Sequence, residues 1–196
     1  MDCWPKLVSR NLIYLRIMKN TLISTATVDD TTALNTLVNS AYRGDSSRKG
    51  WTTEADLLGG IRTDEAGIRA MLENPDATIL KYEADGQLLG CVYLEKKDND
   101  LYLGMLTVSP DTQANGIGKQ LLEAAETYAQ QHNCRAVTMT VITLRHELIA
   151  WYQRRGYRPT GETKPFPNDP RFGIPKQPLE FIVMEKLLSV SASPQV

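Results

Sequence analysis

The chain has 196 residues and a formal net charge of −1, long enough for one domain with its own core and too short for two comfortable ones. The near-neutral balance leaves no electrostatic footprint for nucleic acid or an anionic membrane, and no apolar run approaches the roughly 20 residues that a membrane helix needs. Cys3, Cys91 and Cys134 are widely spaced and His132 and His146 are the only histidines, so neither a disulfide framework nor a metal site is expected, and the thiols read as reduced, in a cytoplasmic protein.

The first segment carries Lys6, Arg10, Arg16 and Lys19 against one acid, Asp2. Its apolar runs are too short for a secretory signal. A basic, acid-poor start is also the composition of a transit peptide, but the preferred reading of residues 1–20 is a loosely packed extension, with Met18 as an alternative start. Leu22 to Val28 alternates loosely, as a first strand does, and Asp29 or Asp30 caps a helix with Leu34, Leu37, Val38 and Ala41 at helical spacing. A polar loop from Arg43 to Gly50 leads through Trp51 to Glu54 into an expected short helix, and a further helix runs from about Asp64 to Glu73, stopping before Asn74-Pro75. Thr78–Glu83 and Leu88–Lys96 form a hairpin across Asp85-Gly86. A third strand, Leu101–Val108, precedes an amphipathic helix over 117–131 that buries Leu121, Leu122, Ala125 and Tyr128. Then follow a strand at 136–142, a helix near 145–154, a strand at 157–162, a Pro-rich loop and a last strand, Leu179–Lys186. The domain is thus expected over residues 21–188, with a fraying tail at 189–196. This order, βααβββαβαββ, suits an α/β fold with a mixed sheet and helices on both faces.

The densest signal lies at residues 105–129. A β-favouring run ends in Ser109-Pro110, passes through Gln113-Ala114-Asn115-Gly116-Ile117-Gly118, and enters a helix. A helix N-terminus presents unpaired N–H groups and partial positive charge, and glycines let an anion approach the backbone. A P-loop is excluded, because Gln120 stands where Ser or Thr is needed and the first glycine is missing. A dinucleotide fingerprint is excluded too, because no third glycine follows Gly118. The remaining pattern, Gln-x-x-Gly-x-Gly opened by Leu-x-Val-x-Pro, resembles the acetyl-CoA pyrophosphate loop of the GNAT N-acetyltransferase superfamily. Glu147–Glu162, a short helix with Trp151-Tyr152 stopped at Gly156-Tyr157, resembles the second half of the same core. The resemblance covers most of residues 21–188 and implies the GNAT fold, a mixed sheet of about seven strands.

It also implies a reaction. Acetyl transfer from a thioester to an amine requires holding the donor, polarising its carbonyl, and managing two protons. By resemblance, acetyl-CoA is the co-substrate. Gln113, Ala114, Asn115, Gly116, Ile117 and Gly118 hold its pyrophosphate, with Lys119 as an added charge, and the backbone of Leu106, Thr107 and Val108 contacts the pantetheine beside a β-bulge. Tyr152 matches the tyrosine that protonates the leaving thiolate; the alternative is a core tyrosine. Arg145 stands where relatives often have an asparagine near the pantetheine, so it reaches a phosphate, the substrate or solvent.

The base is open between Glu54, Glu95 and a water chain, and His146 reads as a solvated helix residue. Arg43, Trp51, Glu54, Phe166 and Arg171, on the two loops that by the same resemblance build the acceptor end, are candidate substrate contacts, as are Arg48 and Lys49, with a solvated polar loop as the alternative. The expected activity is transfer to a primary amine of a small molecule, an amino acid or related amine, by direct attack in a ternary complex. The alternatives are a protein lysine or N-terminal acetyltransferase and a non-catalytic acyl-CoA sensor. The expected assembly is a monomer or homodimer, without nucleic acid or membrane.

Overall fold

The structure, a computed structural model, describes residues 21–50, 53–113 and 115–188. The sequence expectations for residues 1–20 and 189–196 lie outside the described residues. In chain order the elements are β1 (Thr21–Thr25), α1 (Thr31–Tyr42), α2 (Gly44–Ser47), β2 (Leu58–Gly59), α3 (Glu65–Glu73), β3 (Ala77–Ala84), β4 (Gln87–Lys97), β5 (Asp100–Val108), α4 (Ile117–Gln131), β6 (Ala136–Ile142), α5 (His146–Gln153), β7 (Arg158–Pro165), β8 (Ile174–Pro175) and β9 (Glu180–Leu187).

Seven strands form one sheet in the order β1-β3-β4-β5-β6-β9-β7. Among the described residues only the β5–β6 pairing of this sheet is parallel. The expected mixed α/β architecture is therefore present. The alternation of side chains along a strand explains its two layers. Ile79 of β3 and Cys91 of β4 pack with Leu34, Leu37 and Val38 of α1 and Ile68 of α3. Leu80, Tyr82, Val92 and Leu94 point the other way, onto Leu121, Leu122 and Ala125 of α4 and Tyr152 of α5.

One expectation is corrected. No helix follows Glu54: the N–H groups of Leu57 and Leu58 both donate to Glu54 O (2.9 Å each), and this turn leads into β2. The helical turn lies earlier, at α2, inside the polar loop from Arg43 to Gly50. A separate two-stranded ribbon, β2 against β8, was not anticipated. It ties the segment after α2 to the Pro-rich loop before β9, and it escapes the sequence because two-residue strands leave almost no periodicity to read.

Candidate active site

The site originates in a disagreement between two neighbouring strands. β5 and β6 pair only from Asp100↔Ala136 to Tyr102↔Thr138. Beyond that point Leu103–Leu106 on one strand and Met139–Ile142 on the other line opposite walls of a cleft of about 340 Å³. On its other side β5 carries one extra residue against β4, between the pairs Tyr93↔Gly104 and Cys91↔Thr107. Met105 takes up the extra residue in a left-handed conformation, φ 51°, which a non-glycine residue adopts at a cost of roughly 1–2 kcal/mol. The bulge reverses which residues face α4: Leu101 and Leu103 before it, Leu106 and Val108 after it, while Met105 packs against α1. Tyr42 at the end of α1 donates its hydroxyl to Leu106 O (2.8 Å), holding the bulge from the opposite layer.

At the end of β5 the glycine loop forms a second, smaller hollow of about 170 Å³, lined by Gly116, Gly118, Lys119, Trp151 and Arg155 among others. Gly116 is the N-cap of α4 with φ 77°, a left-handed conformation that favours glycine. The first helical bond is donated by Gln120 N–H to Gly116 O (3.0 Å). The N–H groups of Ile117, Gly118 and Lys119 are therefore outside the helix ladder. A Cβ on Gly118 would meet Val108 at 3.5 Å and Trp151 at 3.8 Å, ordinary contacts, so folding alone does not demand glycine there.

The Arg155 guanidinium stacks 3.6 Å from the Trp151 ring centre, and its Nη1 donates to Trp151 O (2.9 Å). Its Nε is buried without a hydrogen-bond partner. Free helix amides, glycines and an unspent guanidinium N–H together fit a diphosphate.

Tyr152, on α5, is buried and lines the cleft. Its ring meets Trp151 and Tyr157 edge-on, with centroids 5.0 and 5.7 Å apart. Burial, reinforced by the Tyr42 phenol and opposed by Arg145, pushes its hydroxyl well above the usual tyrosine range. It stays protonated at every working pH and is a hydrogen-bond donor.

Residues 33–157 match the model of the acetyltransferase (GNAT) family. The chain belongs to this family. Similar proteins include mouse N-acetyltransferase family 8 member 3, 30% identical over 122 residues (58% of this chain, 53% of that protein), and the amino-acid acetyltransferase of Ralstonia nicotianae, 34% identical over 91 residues (45% and 19%). The chain thus spans about half the length of the mouse relative. In fold it is similar to the ribosomal-protein-S18-alanine N-acetyltransferase of Escherichia coli, with a TM-score of 0.66 at 15% identity, covering 90% of this chain and 99% of that one. It is also similar to a putative acetyltransferase from Salmonella typhimurium solved with acetyl-CoA, with a TM-score of 0.65 at 18% identity, covering 90% and 99%.

Within the GNAT frame, the residues singled out from sequence separate into those at the cleft and those elsewhere. Glu54, Arg145 and Tyr152 line the cleft, and Arg145, at the N-cap of α5, is almost fully buried. Arg43 is not a free reader of substrate. It is 6% exposed and ion-paired through Nη1 to Glu54 Oε2 (2.5 Å), while Nη2 donates to Phe172 O (3.4 Å). It straps the loop after α1 to the loop before β9. Arg171 points to solvent and is spent on Asp169 (2.6 Å); its neighbour Phe172 lines the cleft instead.

Arg48 pairs with Asp56 (2.7 Å). Phe166 stacks on Phe181, with centroids 5.2 Å apart, behind the cleft wall. Gln113 ties the glycine loop down, its Nε2 donating to Val108 O (3.2 Å). A Cβ at Gly50 would come within 2.6 Å of that nitrogen. Asn115 is exposed, Ile117 is buried in the core so that only its backbone is available, and Lys119 pairs with Glu123 (3.5 Å).

Glu95 pairs with Lys97 (3.1 Å) and does not line the cleft, and His146 is exposed. Trp51 and Ala114 lie outside the described residues. Sequence reasoning passed over Arg62 and Arg155. Arg155 had a signal in the Trp-Tyr-x-x-Arg spacing, one helical turn past Trp151, whereas Arg62 had none.

Proposed function

We propose that this chain is an acetyl-CoA-dependent N-acetyltransferase that acetylates the primary amine of a small molecule, an amino acid or related amine, by direct attack in a ternary complex. The observation that carries this reading is the bulged, unpaired stretch of β5 between the glycine hollow and Tyr152. Acetyl-CoA, when bound, supplies the acetyl group as a thioester.

The remaining work belongs to the chain. The N–H groups at the start of α4 and Arg155 bind the diphosphate, and the free edge of Leu106–Val108 holds the extended arm of the donor as an added strand. A backbone N–H freed at the bulge polarises the carbonyl. Glu54, the carboxylate among the described cleft residues, accepts the proton of the attacking ammonium; the ion pair with Arg43 fixes its place. Tyr152 gives its proton to the departing sulfur.

A small acceptor is favoured by the loop before β9, which closes over the cleft with Pro165, Pro167 and Phe172. That loop is pinned by Arg43 and by Lys176, whose Nζ donates to Ala55 O (2.6 Å).

The test pairs thiol release from acetyl-CoA across a panel of amines with calorimetric binding of acetyl-CoA. Gly118→Glu, with a carboxylate in the glycine hollow, is expected to abolish acetyl-CoA binding while the protein remains folded. Unchanged affinity would remove the hollow from the site. Tight binding with release to no small amine or peptide would favour an acyl-CoA sensor.

A further inference from the structure

Charge is distributed unevenly around the cleft. Its described lining holds three cationic side chains, Arg62, Arg145 and Lys164, and one carboxylate, Glu54, which Arg43 already neutralises. Lys164 is half-exposed and pairs with Glu162 (3.4 Å). Arg62 is different. Its backbone N–H donates to Asn39 Oδ1 (2.8 Å), and Asn39 Nδ2 donates to the next carbonyl, Thr63 O (2.8 Å). These two bonds clamp the backbone that carries the side chain. The guanidinium stands 5.5 Å from the centre of the Tyr42 ring and makes no ion pair among the described residues. An aromatic face satisfies the charge of an arginine and leaves its N–H donors available. A planar, always-charged fork held in this way matches a carboxylate in two hydrogen bonds.

We propose that Arg62 is the specificity-determining residue of the acceptor site, and that the acceptor is an amine bearing a carboxylate that Arg62 binds. The proposal rests on the N-acetyltransferase reading above. Tyr42 acts as the ruler. Its hydroxyl is bonded to Leu106 O at the bulge (2.8 Å), and Arg62 sits over its ring. The fork and the bulge are therefore held apart by about one tyrosine side chain, a separation that suits an amino acid whose reacting amine stands several bonds from its carboxylate, as in an ω-amino acid. The same cations repel polyamines, aminoglycosides and lysine-rich peptides, whose charges have no unpaired carboxylate to meet in the described lining.

The experiment uses matched acceptors, each amino acid beside its primary amide and its decarboxylated amine, with thiol release from acetyl-CoA as the readout. The acids are expected to be preferred by about tenfold to a hundredfold in kcat/KM, the range of a hydrogen-bonded charge pair. In Arg62→Gln that preference is expected to collapse through a rise in acceptor KM, with acetyl-CoA affinity retained; Arg62→Lys restores part of it. Equal rates for acids and amides, or faster transfer to polyamines or peptides, would overturn the proposal and leave the transferase reading standing. A preference for acids that survives in Arg62→Gln would overturn the role of Arg62. Release to no acceptor would sink both.

Discussion

Tyr152 shows how much a single side chain depends on its surroundings. It lines the cleft while its ring is locked edge-on between Trp151 and Tyr157, so Tyr152→Phe removes the proposed proton donor and keeps the packing. Turnover is expected to fall on the order of a hundredfold, the size of one general acid, with acetyl-CoA affinity and melting temperature preserved. Undiminished turnover in stopped assays would make Tyr152 a core residue only. The place of Tyr152 in a short helix was legible from sequence because a motif fixed it. The partners of Arg43 and Arg171 were not legible for the opposite reason: whether an arginine is free depends on which carboxylate the fold brings to it. Glu54 neutralises the first, and Asp169 holds the second in solvent.

At the scale of elements, the seat of α4 decides whether the glycine hollow exists. Gly90 on β4 lies under this helix: a Cβ there would come within 2.9 Å of Leu121 Cδ1, 3.0 Å of Ile117 Cγ2 and 3.0 Å of Thr107 O. Gly90→Ala is therefore expected to cost about 1–3 kcal/mol through overpacking. By lifting the N-terminus of α4 it should weaken acetyl-CoA binding as well, checked by thermal melting and calorimetry on the same sample. The helix itself was plain in the sequence, and its bounds, Ile117–Gln131, are those read from apolar spacing. The bulge beside it was also written there, as the change of apolar parity in Leu101, Leu103, Leu106 and Val108. The family resemblance implies the same bulge, and the residues carry the pattern independently of it. The ribbon of β2 and β8 was not legible, since two residues on each side carry no period.

Across the whole molecule, the described surface carries mostly exposed ion pairs worth little individually, and the pH response is set by the few pairs that link layers. Asp30, before α1, accepts from Lys81 of β3 (2.8 Å) and from Thr27 N–H (2.8 Å). Burial pushes its carboxyl up, but the hydrogen bonds from Lys81 and Thr27 outweigh it and hold the group below the usual carboxylate range. A carboxyl lowered on folding adds stability above its unfolded value of about 3.9 and loses it as pH falls through the folded value. Melting temperature should therefore drop below about pH 4, and Asp30→Asn should lower it at pH 6 while shrinking the acid-side drop. An unchanged acid limb in differential scanning would assign the pH response to other carboxylates. For Lys81 the sign is reversed: the Asp30 hydrogen bond raises it above its usual range. Its contribution is lost only as pH climbs through that raised value.

Local pattern alone carried the order of the seven sheet strands and the four longer helices, the glycine loop at the start of α4, the tyrosine of α5 and membership in the GNAT frame. Each of these is a local pattern, a period, a cap or a short spacing, that the chain expresses wherever it folds. What the arginines of the cleft and of the glycine hollow meet was settled only in three dimensions. Arg43 strapped to Glu54 and the Pro-rich loop, Arg62 laid over Tyr42 beside the bulge, and Arg155 stacked on Trp151 each depend on where distant segments meet. Except for the single helical turn from Trp151 to Arg155, those meetings cross many residues of chain. Charge partnership and burial, which settle what an arginine is for, are properties of that proximity and not of the order of residues.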